Sequence, residues 1–279
     1  MTNLNIIVLA VLQGVTEFLP ISSSGHLILV PELTNWPDQG ILMDMAVHVG
    51  TLAAVVLYFW RDVLAMAQGT LHILGGRRTP AARLTFMVLI ATIPVVIAGF
   101  LWSRYGLTEW GRSAAVIGWT TLIFGILLYV ADRFSVTLRR VDHMTALDAL
   151  IVGLMQCLSL VPGTSRSGIT ATAGRFLGFE RSEATRFSML LSIPATAGAG
   201  TLMLGSLMKA DNVEVNSQAA LMAGISFVTA LVTLTLFMSW IRRATFTPFV
   251  IYRIFLGIGL LIFAYWSTVG PILEPLLDW

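Results

Sequence analysis

The chain has 279 residues, 56% of them apolar and only 11% charged, with a mean hydropathy of +0.83. Soluble domains carry about 25% charged residues, so this composition excludes a soluble domain and indicates an integral membrane protein. The formal charge of +2 rests almost wholly on scattered arginines with Lys209 as the only lysine, which leaves no basic run for nucleic acid, and the single Cys157 excludes an internal disulfide framework or a cysteine-based metal site.

In chain order, residues Met1 to Asn5 offer no basic start and no small-residue cleavage pattern, so no signal peptide is expected. A membrane-spanning helix needs about 20 mostly apolar residues. The first apolar run, 4–19, ends at Pro20 and the serines, and only Leu27 to Val30 remain before Pro31 and Glu32. Full-length candidates follow at roughly 41–60, 84–102 and 114–131. A second interrupted run, 146–161, stops at Pro162-Gly163, and three more full candidates lie at 187–208, 218–240 and 249–269. The polar connections 61–83 and 132–145 read as ordinary loops. Trp36, Trp60, Trp102, Trp110 and Trp240 lie near span ends and read as an interfacial aromatic belt.

The two interruptions hold the chemistry. The first is Gln13-Gly-Val-Thr-Glu-Phe-Leu-Pro-Ile-Ser-Ser-Ser-Gly-His26, and the second is Gln156-Cys-Leu-Ser-Leu-Val-Pro-Gly-Thr-Ser-Arg-Ser-Gly-Ile-Thr170. With Gln13 laid on Gln156, Ser22, Ser24 and Gly25 fall on Ser165, Ser167 and Gly168, while Ser23 falls on Arg166. Ionisable groups at membrane depth are costly and face a site rather than lipid. Broken backbone there needs protein or water around it. Each stretch therefore reads as a hairpin that enters the membrane, turns at a polar tip and returns.

The fold expected is all-α: six transmembrane helices plus two re-entrant helical hairpins, as an inverted-topology repeat within one membrane domain. The pseudo-repeats are about 1–140 and 141–279, and the site lies where the broken helices meet. This topology places Arg61, Arg77, Arg78, Arg83, Arg133, Arg139, Arg140, Arg175, Arg181, Arg186, Arg242 and Arg243 on one side, against Arg104, Arg112 and Lys209 on the other. The positive-inside rule then puts both termini on the periplasmic or exterior face.

At the second tip, Pro162 through Gly168 offers free N–H groups at a helix start, with Gly163 and Gly168 in the turn. Such a helix start attracts anions, and Arg166 adds a planar guanidinium suited to phosphate oxygens. The plainer role for Arg166 is an ion pair with Glu17. That pair leaves unexplained the hydroxyls of Ser22, Ser23, Ser24, Ser165, Ser167 and Thr170 gathered in the same two tips. At the first tip a serine becomes a nucleophile once a base takes its proton. Glu17 and His26 flank Ser23 closely enough for a folded tip to bring all three together. Glu17 can act as base, orient the imidazole, or hold a divalent cation, Mg2+ or Ca2+, shared with substrate oxygens. The plainer role for His26 is a buried, hydrogen-bonded residue at a helix start. Asp44 and His48, four apart on one helix face, can line the cavity from behind. The combination points to phosphoryl transfer on a lipid-soluble substrate. A lipid flippase or small-anion transporter built on the same cavity is the alternative.

At these residues the chain resembles the bacterial undecaprenyl-pyrophosphate phosphatases of the bacitracin-resistance type. The first signature, an acidic residue or Gln, then Gly-x-Thr-Glu-Phe-Leu-Pro-x-Ser-Ser-x-Gly-His, matches Gln13 through His26. The second, Pro-Gly-x-Ser-Arg-Ser-Gly-x-Thr, matches Pro162 through Thr170, and Pro-Phe-x-Ile-Tyr-Arg recurs at Pro248 to Arg253. The resemblance implies hydrolysis of undecaprenyl pyrophosphate to undecaprenyl phosphate and phosphate at the inner membrane. This recycles the lipid carrier for peptidoglycan and other wall polymers and confers bacitracin resistance, with dependence on Mg2+ or Ca2+. Carried over by position, Ser23 is the nucleophile, Glu17 and His26 are its acid/base and metal partners, and Arg166 clamps the pyrophosphate. Gln13, Ser22, Ser24, Gly163, Ser165, Ser167, Gly168 and Thr170 then bind substrate. Some members carry Glu where this chain has Gln13, so here Glu17 alone supplies a carboxylate. The expected partners are the polyprenyl pyrophosphate and membrane lipids, with a homodimer left open.

Overall fold

The computed structural model describes residues 3–34, 36, 40–106, 113–135, 139–207 and 213–266. Among them the chain forms α-helices and short 3-10 turns, and its only β feature is an isolated bridge between Arg139 and Phe179. The helices are α1 (Asn3–Thr16), α2 (Ser23–Thr34), α3 (Gly40–Tyr58), α4 (Trp60–Leu74), α5 (Pro80–Arg104) and α6 (Ala114–Phe134), then α7 (Ala146–Gln156), α8 (Arg166–Phe176), α9 (Arg181–Leu207), α10 (Val213–Ile241) and α11 (Thr247–Ala264). Trp110, Arg112 and Lys209 lie outside the described residues.

The two polar stretches are breaks between packed helices. The first unwinds over residues 17–22, between α1 and α2, which pack on each other. The second passes from α7 through a 3-10 turn, Cys157–Leu160, to the tip before α8, and these two helices are also in contact. Each leading arm packs across the molecule. α1 lies on α10, and α7 lies on α5. Gly153 makes the second approach feasible, because a Cβ there would stand 2.5 Å from the carbonyl oxygen of Ala91 on α5.

Among the described residues, four helices are long and apolar enough to cross a membrane: Pro80–Arg104, Ala114–Phe134, Ser217–Ile241 and Thr247–Ala264. These fall on four of the six expected spans. The segment expected at 41–60 qualifies only as a bent pair, Met43–Tyr58 with Trp60–Leu74, turned by 86° at the break. The remaining one, 187–208, is the helix α9, whose side chains are described only to Gly198. Phe86, Ile93, Val96, Ile97 and Phe100 of α5 and Val228, Val232 and Leu236 of α10 are exposed. Apolar surface on this scale requires lipid rather than water around it.

One expectation is corrected here: residues 61–74 are not a loop but the helix α4. Its polar residues masked an amphipathic pattern. Asp62, Met66 and Gly69 recur on the face turned to the protein, while Leu64, Leu71 and Leu74 are exposed.

Away from the two tips, arginines tie helix ends together at one end of the bundle. Asp132, at the end of α6, pairs with Arg175 of α8 and Arg181 of α9 at 3.3 and 2.5 Å, and accepts the Phe246 N–H at the start of α11. Arg139 pairs with Asp148 at 2.5 Å, and Arg186 of α9 with Asp62 of α4.

Candidate active site

Both helices that leave the tips begin in the same way. Ser22 and Ser165, aligned in the overlay of the two stretches, are the only non-glycine residues with positive φ among those described, at 74° and 70°. A non-glycine residue in this region is strained and is held by its surroundings. Here the surroundings are a cap. The Ser22 hydroxyl accepts the Gly25 N–H at 3.3 Å, and the Ser165 hydroxyl accepts the Gly168 N–H at 3.1 Å. The next residues, Ser23 and Arg166, are therefore the first residues of α2 and α8. Both sit where a helix start favours negative charge.

The tips are also locked to each other. Gly163 donates its N–H to the Ser22 hydroxyl at 3.1 Å, and the Ser167 hydroxyl donates to the Leu19 carbonyl at 3.0 Å. Gly163 has φ +89°, and a Cβ on it would lie 2.1 Å from the Thr120 hydroxyl, so only glycine fits.

The carboxylate of Glu17 joins the two helix starts. Its Oε1 accepts from Arg166 at 2.5 Å, and its Oε2 accepts from the Ser23 hydroxyl at 2.7 Å and the Gln13 amide at 2.8 Å. The ion pair weighed against an anion clamp for Arg166 is therefore present. The guanidinium also donates to the Thr196 hydroxyl at 2.7 Å. The carboxylate, Ser22, Ser23, Ser24, Ser165 and Arg166 all line one pocket of about 360 Å3. A site holding a permanent cation, helix starts and hydroxyls within hydrogen-bond reach of a carboxylate can bind a phosphate and remove a proton from Ser23.

Other predicted residues stand behind this pocket. Gln13 is fully buried and holds Glu17. Thr170 is occupied by the Arg166 carbonyl at 2.8 Å and the Ser188 hydroxyl at 2.6 Å. Ser167, Gly163 and Gly168 shape the tips. The expected meeting of His26 with Ser23 and Glu17 does not occur. His26 lies one turn into α2, with Nδ1 2.6 Å from the Ser22 carbonyl and Nε2 2.5 Å from the Tyr252 hydroxyl of α11, and the two rings are stacked. A carbonyl can only accept, so Nδ1 carries the proton and both ring nitrogens are occupied.

The imidazole that faces Glu17 is that of His48, on α3. Its Nε2 stands 3.9 Å from Glu17 Oε2, and its Nδ1 is held by the Asp44 carbonyl at 2.5 Å. His48 lines the pocket. Its spacing from Asp44 was readable, but its approach to Glu17 depends on helices far apart in sequence. Two more residues escaped a site reading. Arg253 is fully buried, and its guanidinium donates to the carbonyls of Pro20, Gly163 and Thr164 at 3.1, 3.0 and 3.0 Å. Gln156 is fully buried on the pocket wall, with neither end of its amide hydrogen-bonded. Its counterpart Gln13 meets Glu17 four residues on, whereas four residues beyond Gln156 is Leu160. That difference between the two stretches leaves an amide without a protein partner.

Residues 6–259 match the family model described as bacitracin resistance protein BacA. The chain belongs to the BacA family. It is 49% identical over 280 residues, 98% of both chains, to undecaprenyl-diphosphatase 1 of Rhodospirillum rubrum. It is also 49% identical to the undecaprenyl-diphosphatases of Roseobacter denitrificans, over 95% of this chain and 100% of that one, and of Hahella chejuensis, over 95% and 99%. The BacA match spans both polar stretches and Arg253, so the residues assembled here all fall inside it.

Two substitutions separate the roles of the buried polar groups. Arg253→Met strands carbonyls of both tips and is expected to cost about 3–5 kcal/mol, read as a large fall in thermal midpoint in detergent. Gln156→Leu removes an amide that satisfies nothing in the protein, so the midpoint should hold or rise. Release of phosphate from a polyprenyl pyrophosphate should nevertheless fall about tenfold, the loss of roughly one hydrogen bond to substrate.

Proposed function

We propose that the chain is a membrane phosphatase that hydrolyses undecaprenyl pyrophosphate to undecaprenyl phosphate and inorganic phosphate. The carrying observation is the Glu17 carboxylate shared by Ser23 and Arg166 at the facing starts of α2 and α8. Membership of the BacA family and the names of its relatives support this reading over the flippase or anion transporter.

In this mechanism the pyrophosphate enters between the helix starts, and Arg166 exchanges Glu17 for phosphate oxygens. Glu17, relieved of its cation, takes the Ser23 proton. Ser23 Oγ forms a bond to the terminal phosphorus while the bond to the bridging oxygen breaks and undecaprenyl phosphate leaves. Glu17 gives its proton up through the departing phosphate and regains its charge. It then takes a proton from water as the water oxygen bonds to phosphorus, and passes that proton to Ser23 Oγ as the Oγ–P bond breaks and phosphate leaves. Arg166 and the N–H groups of both helix starts stabilise the charge on the transferred group.

The described residues contain no group of three His, Cys, Asp or Glu able to hold a metal. Among the described residues, Glu17 is the only carboxylate on the pocket wall. Its donor set fits a divalent ion, Mg2+ or Ca2+, only in company with substrate oxygens and water, where the ion would neutralise pyrophosphate charge.

We infer the arrangement of six spans and two re-entrant hairpins in an inverted repeat from three observations. These are the matched caps at Ser22 and Ser165, the crosswise packing of α1 on α10 and α7 on α5, and the arginine-rich end. The same reading puts the protein in the bacterial inner membrane, both termini and the pocket facing the periplasm, and arginines facing the cytoplasm. A homodimer belongs to the proposal only as an open arrangement of copies.

Purified protein in detergent should release phosphate from undecaprenyl pyrophosphate, and Ser23→Ala should lower kcat by about 10^3-fold or more. Arg166→Lys, which keeps charge but loses the fork, should cost about 10^2-fold. Full release by Ser23→Ala would remove Ser23 as nucleophile. Chelation with EDTA should lower the rate, and added Mg2+ or Ca2+ should restore it. A rate indifferent to chelator would remove the cation.

A further inference from the structure

A larger cavity, of about 1030 Å3, lies at the arginine-rich end of the bundle. It is lined on one side by the turn from α4 to α5 and the first two turns of α5, and on the other by Val141 and Asp142. The catalytic pocket touches the same helix α5 at Val95, whereas this cavity uses Pro80 to Met87. At 1.5 Å per residue the two are separated by roughly 12–22 Å along the helix. None of the lining residues belongs to the two polar stretches.

Its walls have two chemistries. Ile73, Leu84, Phe86 and Met87 are apolar, and the Phe86 ring is exposed. Arg77, Arg78 and Arg83 face Asp142 across the cavity, leaving an excess of positive charge. Arg83 donates to the Met144 carbonyl at 2.9 Å. Arg77 and Arg78 are exposed, and among the described residues their guanidiniums make no hydrogen bond or ion pair. The turn that carries them is fixed. Arg77 N–H donates to the His72 carbonyl at 2.8 Å, and His72 Nδ1 lies 2.9 Å from the Thr79 hydroxyl that caps α5. The cavity therefore also opens at the start of a 25-residue helix, which favours an anion.

The surrounding helices say what kind of anion fits. α4 leaves α3 at 86°, so where α3 crosses a bilayer α4 runs along its surface. Leu71 and Leu74, at its end beside the cavity mouth, are exposed. Guanidiniums without protein partners thus stand beside apolar side chains at headgroup level. A free phosphate would satisfy the arginines and leave the apolar wall bare.

We propose that this cavity is a binding site for an anionic glycerophospholipid of the surrounding membrane. The phosphate pairs with Arg77, Arg78 and Arg83, and the upper acyl chain lies along Leu84 and Phe86. Juxtamembrane arginines attract anionic lipid, each by a modest amount, and the cavity concentrates three of them on one headgroup.

Native mass spectrometry of delipidated protein, titrated with phosphatidylglycerol or phosphatidylcholine, tests the site. Phosphatidylglycerol should be retained in preference to phosphatidylcholine. The double variant Arg77→Gln/Arg78→Gln should weaken that retention about tenfold. Phe86→Glu should weaken it while leaving the arginines in place. Arg242→Gln/Arg243→Gln, which removes the same charge from another exposed turn, should leave it unchanged. Phosphate release in detergent should stay at the wild-type rate in all three, showing folded protein and a site separate from the catalytic pocket. Equal losses in the two arginine pairs, or equal retention of phosphatidylcholine, would overturn the proposal. So would displacement by inorganic phosphate, displacement by a polyprenyl monophosphate at equal concentration, or loss of phosphate release with the lipid.

Discussion

The guanidinium of Arg253 is the constraint on which the two tips depend. It comes from α11, is sealed from solvent, and donates to carbonyls of Pro20, Gly163 and Thr164, as well as to Thr121 and Thr120 of α6. Unwound backbone leaves carbonyls without helical partners, and in an apolar interior each one unpaired costs free energy. One planar cation with five N–H donors meets this need for both breaks at once. The carbonyl oxygens in turn offset the charge of the buried cation. Because the same group holds both tips, neither can move without disturbing the other.

With the tips pinned, the chemistry follows from where two helices begin. Positive φ at Ser22 and Ser165 turns the chain sharply, and the serine caps start α2 and α8 one residue later. The residues at those starts differ: a hydroxyl in Ser23 and a guanidinium in Arg166. One carboxylate, Glu17, satisfies both. A buried ion pair contributes little net stability, because desolvation offsets much of the attraction. Such a pair suits a site in which the cation must be transferred to an incoming phosphate. In the proposed mechanism the pairing and the anion clamp, posed as rivals for Arg166, are two states of one residue.

Much of the pocket could be read from polar residues that had no other reason to be there. Glu17, Ser23 and Arg166 stood out because ionisable and hydroxyl groups interrupt apolar runs, and their neighbours Ser22 and Ser165 follow from the overlay. The length and apolarity of α5, α6, α10 and α11 were equally plain. The reading failed where the signal was weak or shared by two outcomes. α4 looked like a loop because Asp62, Gln68 and His72 diluted its amphipathic pattern. His26 and His48 each offered an imidazole, and spacing along the chain favoured His26, which faces Tyr252 instead.

The sequence by itself determined the all-helical membrane character, the places where helices must break, and the polar groups at those breaks. Apolar run length, proline and the cost of buried charge act locally and leave their mark on consecutive residues. Only the tertiary structure decided which imidazole meets Glu17, why Arg253 is needed, and that Gln156 is left without a partner. These outcomes depend on contacts between residues 31 to 233 positions apart, such as His48 with Glu17 and Arg253 with Pro20. No local pattern records such contacts, because they exist only once α3, α7 and α11 have packed around the two tips.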